Sequence, residues 1–232
     1  MEILGIIPAR GGSKSIPMKN LALLAGKPLL AYACSAAAAS RRITRVIVST
    51  DDEKIAATAR ACGADVPFMR PAELAADDTP ALPVILHALN HLEKEEQYAP
   101  DIVVYLQPTS PLRRAGDIDG AIAALEQSGA DSAVSVVEVP HQFGPASVMV
   151  MEGGMLKPYE TGPHVLRRQD KQKIYARNGP AVLAIKRATL MEKNSLYGDT
   201  IVPYIMPPEY SLDIDTPLDL ELAEFLLKKR GA

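Results

Sequence analysis

The sequence is poor in aromatic residues, cysteine and net positive charge, and each shortage excludes a class of function. Its 232 residues include no tryptophan, three phenylalanines and eight tyrosines, too few for the stacking platforms that bind single-stranded nucleic acid. The net charge is −3, so overall basicity does not favour nucleic acid as a partner. The only cysteines, Cys34 and Cys62, cannot form a metal framework and are expected to be free thiols in a reducing compartment.

Long apolar runs are also missing from the sequence. No stretch approaches the ~20 consecutive apolar residues that a membrane-spanning helix needs. Residues 1–8, MEILGIIP, lack the basic region and cleavage site of a signal peptide. These features predict a cytoplasmic protein without a membrane partner. Apolar residues make up 47% of the chain and charged residues 23%, a balance typical of globular proteins.

The apolar residues that are present alternate between strand-length runs and helix-length amphipathic segments. The predicted strands are Ile3–Ile7, Val46–Val48, Ile102–Leu106, Ala133–Val137, Ala181–Ile185 and Ile201–Ile205. The predicted helices are Pro28–Ala39, Asp52–Cys62, Ala81–Glu96, Gly116–Gln127 and Thr216–Lys229. Continuous Val/Ile/Leu strands that alternate with helices are typical of an open, mostly parallel sheet covered on both faces. The pattern therefore predicts a three-layer α/β fold.

The C-terminal helix has the clearest boundaries in the sequence. Thr216 is expected to cap its start, and Lys228 and Lys229 suit the negative end of its dipole. Its large apolar residues are expected to form one stripe, made of Leu218, Leu222, Phe225 and Leu226.

One segment interrupts the alternation of strands and helices. Residues 140–173 contain no clear helical pattern, and a Gly-Gly turn between Val148–Met151 and Met155–Lys157 predicts a β-hairpin. The chain is therefore divided into an α/β domain, residues 1–139 and 174–232, and an inserted arm, residues 140–173. Such a hairpin is either a lid or an oligomerisation arm, and its apolar face favours a protein partner.

Charge is segregated along the chain. Residues 1–50 contain seven bases and one acid, and residues 162–178 contain five bases and one acid. Residues 209–224 contain six acids and no base. Two basic segments and one acidic segment suit a site for a polyanion and its divalent cation.

The loop after the first strand, residues 8–20, reads PARGGSKSIPMKN. Gly11 and Gly12 allow the backbone to approach an anion closely, and Ser13 adds a hydroxyl donor. The loop also carries three cations that together balance a triphosphate, namely Arg10, Lys14 and Lys19. It matches neither the Walker A pattern nor the dinucleotide pattern G-x-G-x-x-G.

Two carboxylates in the acidic segment have the spacing of a cation site. Asp213 and Asp215 are two residues apart, so in extended backbone they face the same side and can share a hard cation. Such a pair by itself is more often a set of solvated or helix-capping acids. Opposite a basic phosphate loop in the same chain, it predicts ligands for Mg²⁺.

Four motifs, taken in order, resemble the acylneuraminate cytidylyltransferase (CMP-sialic acid synthetase) family. They are IPARGGSK with PMKN in residues 7–20, RPAEL in residues 70–74, LQPTSPLR in residues 106–113, and DIDT with DL in residues 213–220. Each motif alone is weak, but the ordered set is specific and spans nearly the whole chain.

The resemblance implies a Rossmann-like nucleotidyltransferase sheet and a homodimer formed through the arm 140–173. It also implies a reaction that depends on Mg²⁺. In this reaction CMP is transferred from CTP to the anomeric hydroxyl of a nonulosonic (sialic-type) acid, and pyrophosphate is released. By the same resemblance, the nucleotide is held by Arg10, Gly11, Gly12, Ser13, Lys14, Lys19, Asn20 and Arg70. The acceptor is held by Gln107, Arg168, Tyr175 and Asn178. Catalysis is assigned to Arg10, Lys19, Asp213 and Asp215, of which the two aspartates bind the metal.

The chain departs from the family pattern at two positions. Ser15 replaces a common glycine, and Arg177 is offset by one residue within YARNGP. The reaction is therefore better defined than the sugar. Two alternatives stay open: a nucleotidyltransferase for another sugar acid or a sugar 1-phosphate, and a non-catalytic nucleotide-binding or NAD-dependent protein. The absence of G-x-G-x-x-G argues against NAD.

Overall fold

The strand-length apolar runs form the central sheet of the protein. The structure, a computed structural model, describes residues 1–13, 15–159 and 172–230. The strands are β1 (Ile3–Pro8), β2 (Leu23–Leu24), β3 (Lys27–Pro28), β4 (Arg45–Ser49), β5 (Ile102–Tyr105), β6 (Ser132–Glu138), β7 (Met149–Glu152), β8 (Met155–Pro158), β9 (Tyr175–Arg177), β10 (Leu183–Lys186) and β11 (Ile201–Ile205). The helices are α1 (Leu29–Ala38), α2 (Glu53–Ala61), α3 (Ala81–Glu96), α4 (Ala115–Ser128), α5 (Arg187–Met191) and α6 (Pro217–Lys229).

Five of the seven strands of the central sheet run in the same direction. The strand order is β11-β6-β10-β5-β1-β4, and β9 also pairs with β6. β1 is parallel to β4 and β5, and β6 is parallel to β11. β10 runs antiparallel between β5 and β6, and β9 is antiparallel to β6. The predicted mostly parallel sheet is confirmed, with two reversed strands that the sequence pattern did not indicate.

Helices cover both faces of the sheet, which confirms the predicted three layers. α1, α2 and α4 pack on one face and α3 and α5 on the other. Ile7 of β1 points into the first layer and Ile6 into the second, and both are fully buried. Because both faces are covered, the central strands β1 (ILGIIP) and β5 (IVVY) contain no charged residue. Within the described residues, no helix is long and apolar enough to cross a membrane.

The predicted cap of α6 is present, but its apolar stripe faces outward. Thr216 and Asp219 form a capping box at the start of the helix. Leu218, Leu222 and Phe225 are 71%, 44% and 61% exposed. The helix packs through its smaller face, with Ala223 and Leu227 buried. The four predicted residues share one face of the helix, and among them only Leu226 packs against the core, because only a narrow strip of α6 meets the small β2–β3 hairpin and its neighbours.

The predicted hairpin of the arm is present as a sheet of its own. β7 and β8 pair antiparallel, with Met149 opposite Pro158 and Glu152 opposite Met155. Gly153 and Gly154, both with positive φ, form the turn. Its apolar side chains are exposed, namely Met149, Met151, Met155 and Leu156. The rest of the arm, residues 160–171, lies outside the described residues.

The contact between α4 and β11 depends on a glycine. A Cβ at Gly120 would overlap the ring of Tyr204. The Tyr204 hydroxyl in turn donates a hydrogen bond of 3.2 Å to the buried carboxylate of Asp117. At Gly116, in the first turn of the same helix, a Cβ would meet nothing within 4 Å.

We expect Gly120→Ala to lower the free energy of unfolding by about 1–3 kcal/mol, because the added methyl group overpacks the α4–β11 contact. The measurement is thermal or urea unfolding. Gly116→Ala is the matched control in the same helix, and it should raise stability by up to about 1 kcal/mol through helix propensity. Equal effects of the two substitutions would contradict the packing role of Gly120.

Candidate active site

A cavity of about 530 Å³ opens at the edge of the sheet where β1 and β5 end. Loops that follow parallel strands meet at such an edge, which is where open α/β sheets bind ligands. Its walls are the loop after β1, residues 70–84, the end of β5 and Asp215. The predicted site residues that line it are Arg10, Gly12, Ser13, Lys19, Asn20, Arg70, Gln107 and Asp215.

Lys19 joins the two ends of the chain inside this cavity. Its ammonium group donates a hydrogen bond of 2.8 Å to the carbonyl of Ile214 and lies 3.3 Å from the carboxylate of Asp215. The Lys19 side chain is 14% exposed, whereas that of Asp215 is 76% exposed. The basic loop and the acidic segment, which the sequence places far apart, therefore share one site.

Backbone geometry presents the loop residues to the cavity. Met18 has a left-handed conformation, with φ of 51°, directly before the short 3₁₀ turn Lys19–Leu21. The amide of Asn20 donates a hydrogen bond of 2.9 Å to the carbonyl of Arg10. This bond closes the loop, so Arg10 and Lys19 open into the same space.

The two loop glycines differ in their surroundings. The N–H of Gly11 donates a hydrogen bond of 2.9 Å to Asp51, and a Cβ at Gly11 would lie 3.0 Å from the side chain of Asp52. Gly12 has open space on its side-chain face and lines the cavity. Gly11 therefore permits close packing against the start of α2, while Gly12 is the glycine that faces a ligand.

Arg10 is paired with an acid that the sequence motifs did not single out. Its guanidinium forms an ion pair with the carboxylate of Asp77, and both residues line the cavity. An incoming anion must therefore compete with Asp77 for Arg10.

Arg70 is a buried cation in the wall of the cavity. It is 6% exposed, and its guanidinium donates hydrogen bonds to the hydroxyl and the carbonyl of Ser49 at the end of β4. Burial lowers the pKa of Arg70 from its usual value. A positive charge held in this way favours a nearby anion.

Asp213 is the buried member of the predicted carboxylate pair. Its Oδ1 is buried and has no hydrogen-bond partner. Burial raises the pKa of Asp213, with the charge of Asp215 adding to the effect, while a hydrogen bond with Thr109 opposes it. Such a carboxylate is stabilised by a cation.

The donor set fits Mg²⁺. Within the described residues no group of three or more His, Cys, Asp or Glu side chains could hold a metal ion. Mg²⁺ is usually held by one or two carboxylates together with substrate phosphates and water. The orphaned oxygen of Asp213 beside the exposed carboxylate of Asp215 matches this arrangement.

Gln107 and Asn178 lie on the β5–β10 side of the site. The Gln107 amide donates a hydrogen bond of 3.2 Å to the carbonyl of Gly179, and Gln107 lines the cavity. Asn178 is 5% exposed and is not part of the cavity lining. Its side-chain carbonyl accepts a hydrogen bond of 2.7 Å from the hydroxyl of Ser135. Its side-chain amide N–H donates one of 3.0 Å to the hydroxyl of Ser211. Asn178 therefore ties β6 to the segment before Asp213.

Among the predicted residues that the structure describes, Tyr175 is not part of the cavity lining. Tyr175 is 43% exposed on the short strand β9. Lys14 and Arg168 lie outside the described residues. Arg177, the offset arginine, donates a hydrogen bond of 2.7 Å to the hydroxyl of Tyr197.

The sequence motifs missed several residues of the site. Asp77, Tyr105 and Thr109 line the cavity beside the predicted residues. Thr109 was within a recognised motif but had no assigned role. Asp77 had no local signal, since only the folded chain brings it to Arg10. Tyr105 was predicted as part of a strand and had no assigned role at the site.

The strand order and the covering helices define an open, Rossmann-like α/β fold. A solved structure of a CMP:2-keto-3-deoxy-manno-octonic acid synthetase complexed with CTP aligns with a TM-score of 0.73, at 18% identity, over 99% of this chain and 100% of that chain. At this identity the likeness shows the fold alone. The predicted Rossmann-like sheet is thereby confirmed.

The sequence comparisons show the family. Residues 4–231 match the family model described as Cytidylyltransferase. The chain is 34% identical over 229 residues to the CMP-N,N'-diacetyllegionaminic acid synthase of Legionella pneumophila, over 98% of this chain and 97% of that protein. It is 35% identical over 232 residues to the N-acylneuraminate cytidylyltransferase of Escherichia coli, of which it covers 53%. The chain belongs to the cytidylyltransferase family, as the motifs predicted, and is an enzyme of the acylneuraminate cytidylyltransferase type.

We expect Asp213→Asn to raise the Tm of the ligand-free protein at pH 7.5. A carboxyl whose pKa is higher in the folded state than in the unfolded state destabilises the folded state when it ionises. The wild-type protein therefore loses stability as the pH rises above the unfolded pKa of about 3.9. The difference in Tm should narrow as the pH falls through the folded pKa toward 4. Differential scanning fluorimetry across this range measures it.

Asp215→Asn is the matched control, because its carboxylate is exposed, and it should change the Tm little at any pH. A lower Tm of Asp213→Asn at pH 7.5 would contradict the burial cost assigned to Asp213.

Proposed function

We propose that this enzyme transfers CMP from CTP to the anomeric hydroxyl of a nonulosonic acid and releases pyrophosphate. The observation that carries the proposal is the shared cavity in which Lys19 contacts Ile214 and Asp215. A basic, glycine-containing loop opposite two carboxylates suits a triphosphate with its cation. The acceptor class is supported by the two relatives, named for legionaminic and acylneuraminic acids.

The chain's own residues position and neutralise the triphosphate. The acceptor hydroxyl attacks the α-phosphorus in line with the departing pyrophosphate, so catalysis rests mainly on alignment and charge stabilisation. Arg10 and Lys19 stabilise the negative charge that builds on the leaving group, with Lys14 as a further cation. Gly12, Ser13 and Asn20 shape the loop around the phosphates. Gly11 supports this loop from behind, and Arg70 places a buried charge at the nucleotide.

Mg²⁺ is the proposed cofactor, held by Asp213 and Asp215. When bound, it supplies neutralisation of phosphate oxygens and lowers the pKa of a coordinated hydroxyl. Lys19 keeps the Asp215 backbone segment against the phosphate loop. The segment of Asp213 is held at the end of β5 by the backbone N–H of Ile214, which donates a hydrogen bond of 2.8 Å to the carbonyl of Thr109.

The acceptor is proposed to lie beside Gln107, between the ends of β5 and β9. Gln107 faces the cavity, and Tyr175 begins strand β9. A guanidinium binds a carboxylate through two parallel hydrogen bonds, which gives Arg168 its proposed role at the sugar carboxylate. For Asn178 we propose an indirect role, because its hydrogen bonds to Ser135 and Ser211 hold the acceptor side in place.

We further propose that the enzyme is a cytoplasmic homodimer whose arm, residues 140–173, is inserted into an α/β domain of residues 1–139 and 174–232. The exposed apolar residues of the β7–β8 hairpin support a protein partner for the arm, since exposed apolar patches mark interaction surfaces. Free Cys34 and Cys62 suit a reducing compartment.

The decisive experiment is a pyrophosphate-release screen of the purified enzyme with four nucleoside triphosphates and a panel of acceptors. We expect release only with CTP and nonulosonic acids. Acceptors that lack the carboxylate, and sugar 1-phosphates, should give no product, because a guanidinium would lose its anionic partner. Release with a sugar 1-phosphate in place of a sugar acid would overturn the proposed acceptor.

We expect Lys19→Ala to lower kcat by about 100-fold or more, as happens when one donor to a developing negative charge is removed. Steady-state kinetics and circular dichroism measure turnover and folding. Lys27→Ala removes a lysine outside the cavity and should keep normal turnover. A folded Lys19→Ala enzyme with wild-type kcat would remove Lys19 from the mechanism.

A further inference from the structure

Tyr105 brings a hydroxyl group without a protein partner to the cavity. It is the last residue of β5, it is 7% exposed, and it lines the cavity. Within the part of the chain that the structure describes, its hydroxyl makes no hydrogen bond, and it is not among the side-chain atoms that are both buried and unpartnered. The hydroxyl is therefore open to the cavity, while the ring packs in the core layer beneath α3 and α5.

The environment of Tyr105 suits a hydrogen-bond donor to a ligand. Burial raises the pKa of Tyr105 to about 12, so the hydroxyl keeps its proton at neutral pH. A largely buried tyrosine usually has a hydrogen-bond partner for its hydroxyl. The ring alone would fill the core position, and the described residues supply no partner for the hydroxyl. The partner is therefore a molecule bound in the cavity.

The strand order places Tyr105 on the acceptor side of the cavity. β5 lies between β10 and β1, and Tyr105 pairs with Leu183 of β10 and Ile6 of β1. The phosphate loop follows β1, and Arg70 is hydrogen-bonded to Ser49 at the end of β4. The groups proposed to hold the nucleotide therefore belong to the β1–β4 side of the sheet. Tyr105 lies one strand further toward β10.

Tyr105 and Gln107 share one side of the chain. The N–H of Leu106 donates a hydrogen bond of 2.9 Å to the carbonyl of Ile6, so the extended pairing with β1 continues beyond Tyr105. In extended backbone, residues two positions apart point to the same side, and both Tyr105 and Gln107 line the cavity. Because the acceptor is proposed to lie beside Gln107, it also borders Tyr105.

The cavity wall on this side combines the hydroxyl with apolar side chains. Ala81 and Val84, in the first turn of α3, line the cavity, and Ala81 packs against the same core layer as Tyr105. Nonulosonic acids bear two kinds of neutral polar substituent, hydroxyl groups and acylamino groups. An acylamino group matches this wall, because its carbonyl accepts a hydrogen bond and its methyl group is apolar. Ligand pockets commonly join apolar walls to a few placed polar groups in this way.

We propose that the Tyr105 hydroxyl donates a hydrogen bond to the carbonyl oxygen of an acylamino group on the nonulosonic acid, which makes Tyr105 a specificity-determining residue for the acceptor. This inference rests on the proposed function, which supplies the acceptor. The enzyme then prefers an acylated acid to the counterpart that carries a hydroxyl group in the same place, because the counterpart lacks the carbonyl that Tyr105 contacts.

The test compares Tyr105→Phe with Tyr204→Phe, each of which removes one hydroxyl and keeps the ring. The Tyr204 hydroxyl is bonded to Asp117 in the α4–β11 contact, outside the cavity lining. Steady-state pyrophosphate release gives KM and kcat for two acceptors. One is the N-acetylated nonulosonic acid that the wild-type enzyme uses best, and the other is its counterpart with hydroxyl groups in place of the acetamido groups. Calorimetry gives the affinity for CTP alone and the Tm.

We expect Tyr105→Phe to raise the KM for the acetylated acid about tenfold at unchanged kcat, which is the effect of losing one hydrogen bond in binding. The KM for the hydroxyl counterpart, the CTP affinity and the Tm should stay at wild-type values, the Tm because the hydroxyl has no protein partner. Tyr204→Phe should lower the Tm and keep both KM values. Equal changes of KM for the two acceptors in Tyr105→Phe, or a loss of CTP affinity in place of acceptor affinity, would overturn the role of Tyr105.

Two outcomes separate this inference from the proposed function. Pyrophosphate release with nonulosonic acids that is the same in Tyr105→Phe and in the wild type would overturn the role of Tyr105, while the transferase activity stands. A wild-type enzyme that releases no pyrophosphate with any nonulosonic acid would reject the proposed reaction, and the acceptor assigned to Tyr105 with it.

Discussion

The hydrogen bond from the Lys19 ammonium to the Ile214 carbonyl is the contact on which the whole site depends. It joins residues separated by 195 positions and brings a basic loop against an acidic segment. The left-handed Met18 and the Asn20–Arg10 bond give the loop one conformation. The acidic segment is placed by the capped helix α6 that follows it. Opposite charges therefore face each other across a single cavity. The basic loop suits a polyanion, and the acidic segment suits a cation.

The burial of polar groups around that contact has an energetic cost that serves ligand binding. Asp213 keeps an unpaired oxygen in a closed environment, and Arg70 keeps its charge in the wall of the cavity. A site that is stabilised only when a ligand arrives binds that ligand more strongly, because the preformed groups need no reorganisation. The apolar side chains buried on both faces of the sheet stabilise the fold and offset this destabilisation.

Local sequence patterns predicted the elements well and their mutual placement less well. Continuous apolar runs indicated every long strand, but pairing direction leaves no local pattern, so the reversal of β10 was not foreseen. Periodicity placed the large apolar residues of α6 on one face, but it does not record what covers a face, so their exposure was not predicted. Asp77 was missed for a similar reason, since its contact with Arg10 crosses 67 positions. The motif residues around Arg10 and Gln107 were found because their spacing is itself a signal.

The ion pair between Arg10 and Asp77 sets a requirement for any anion that binds in the cavity. A small monovalent ion such as chloride offers Arg10 no more charge than Asp77 already does, and it lacks the tether that keeps Asp77 in place. A nucleotide tail brings several charges and contacts other loop groups at the same time, so it can displace the carboxylate where simple salts cannot. The pairing with Asp77 therefore favours, at Arg10, a ligand with several negative charges over an ion with one.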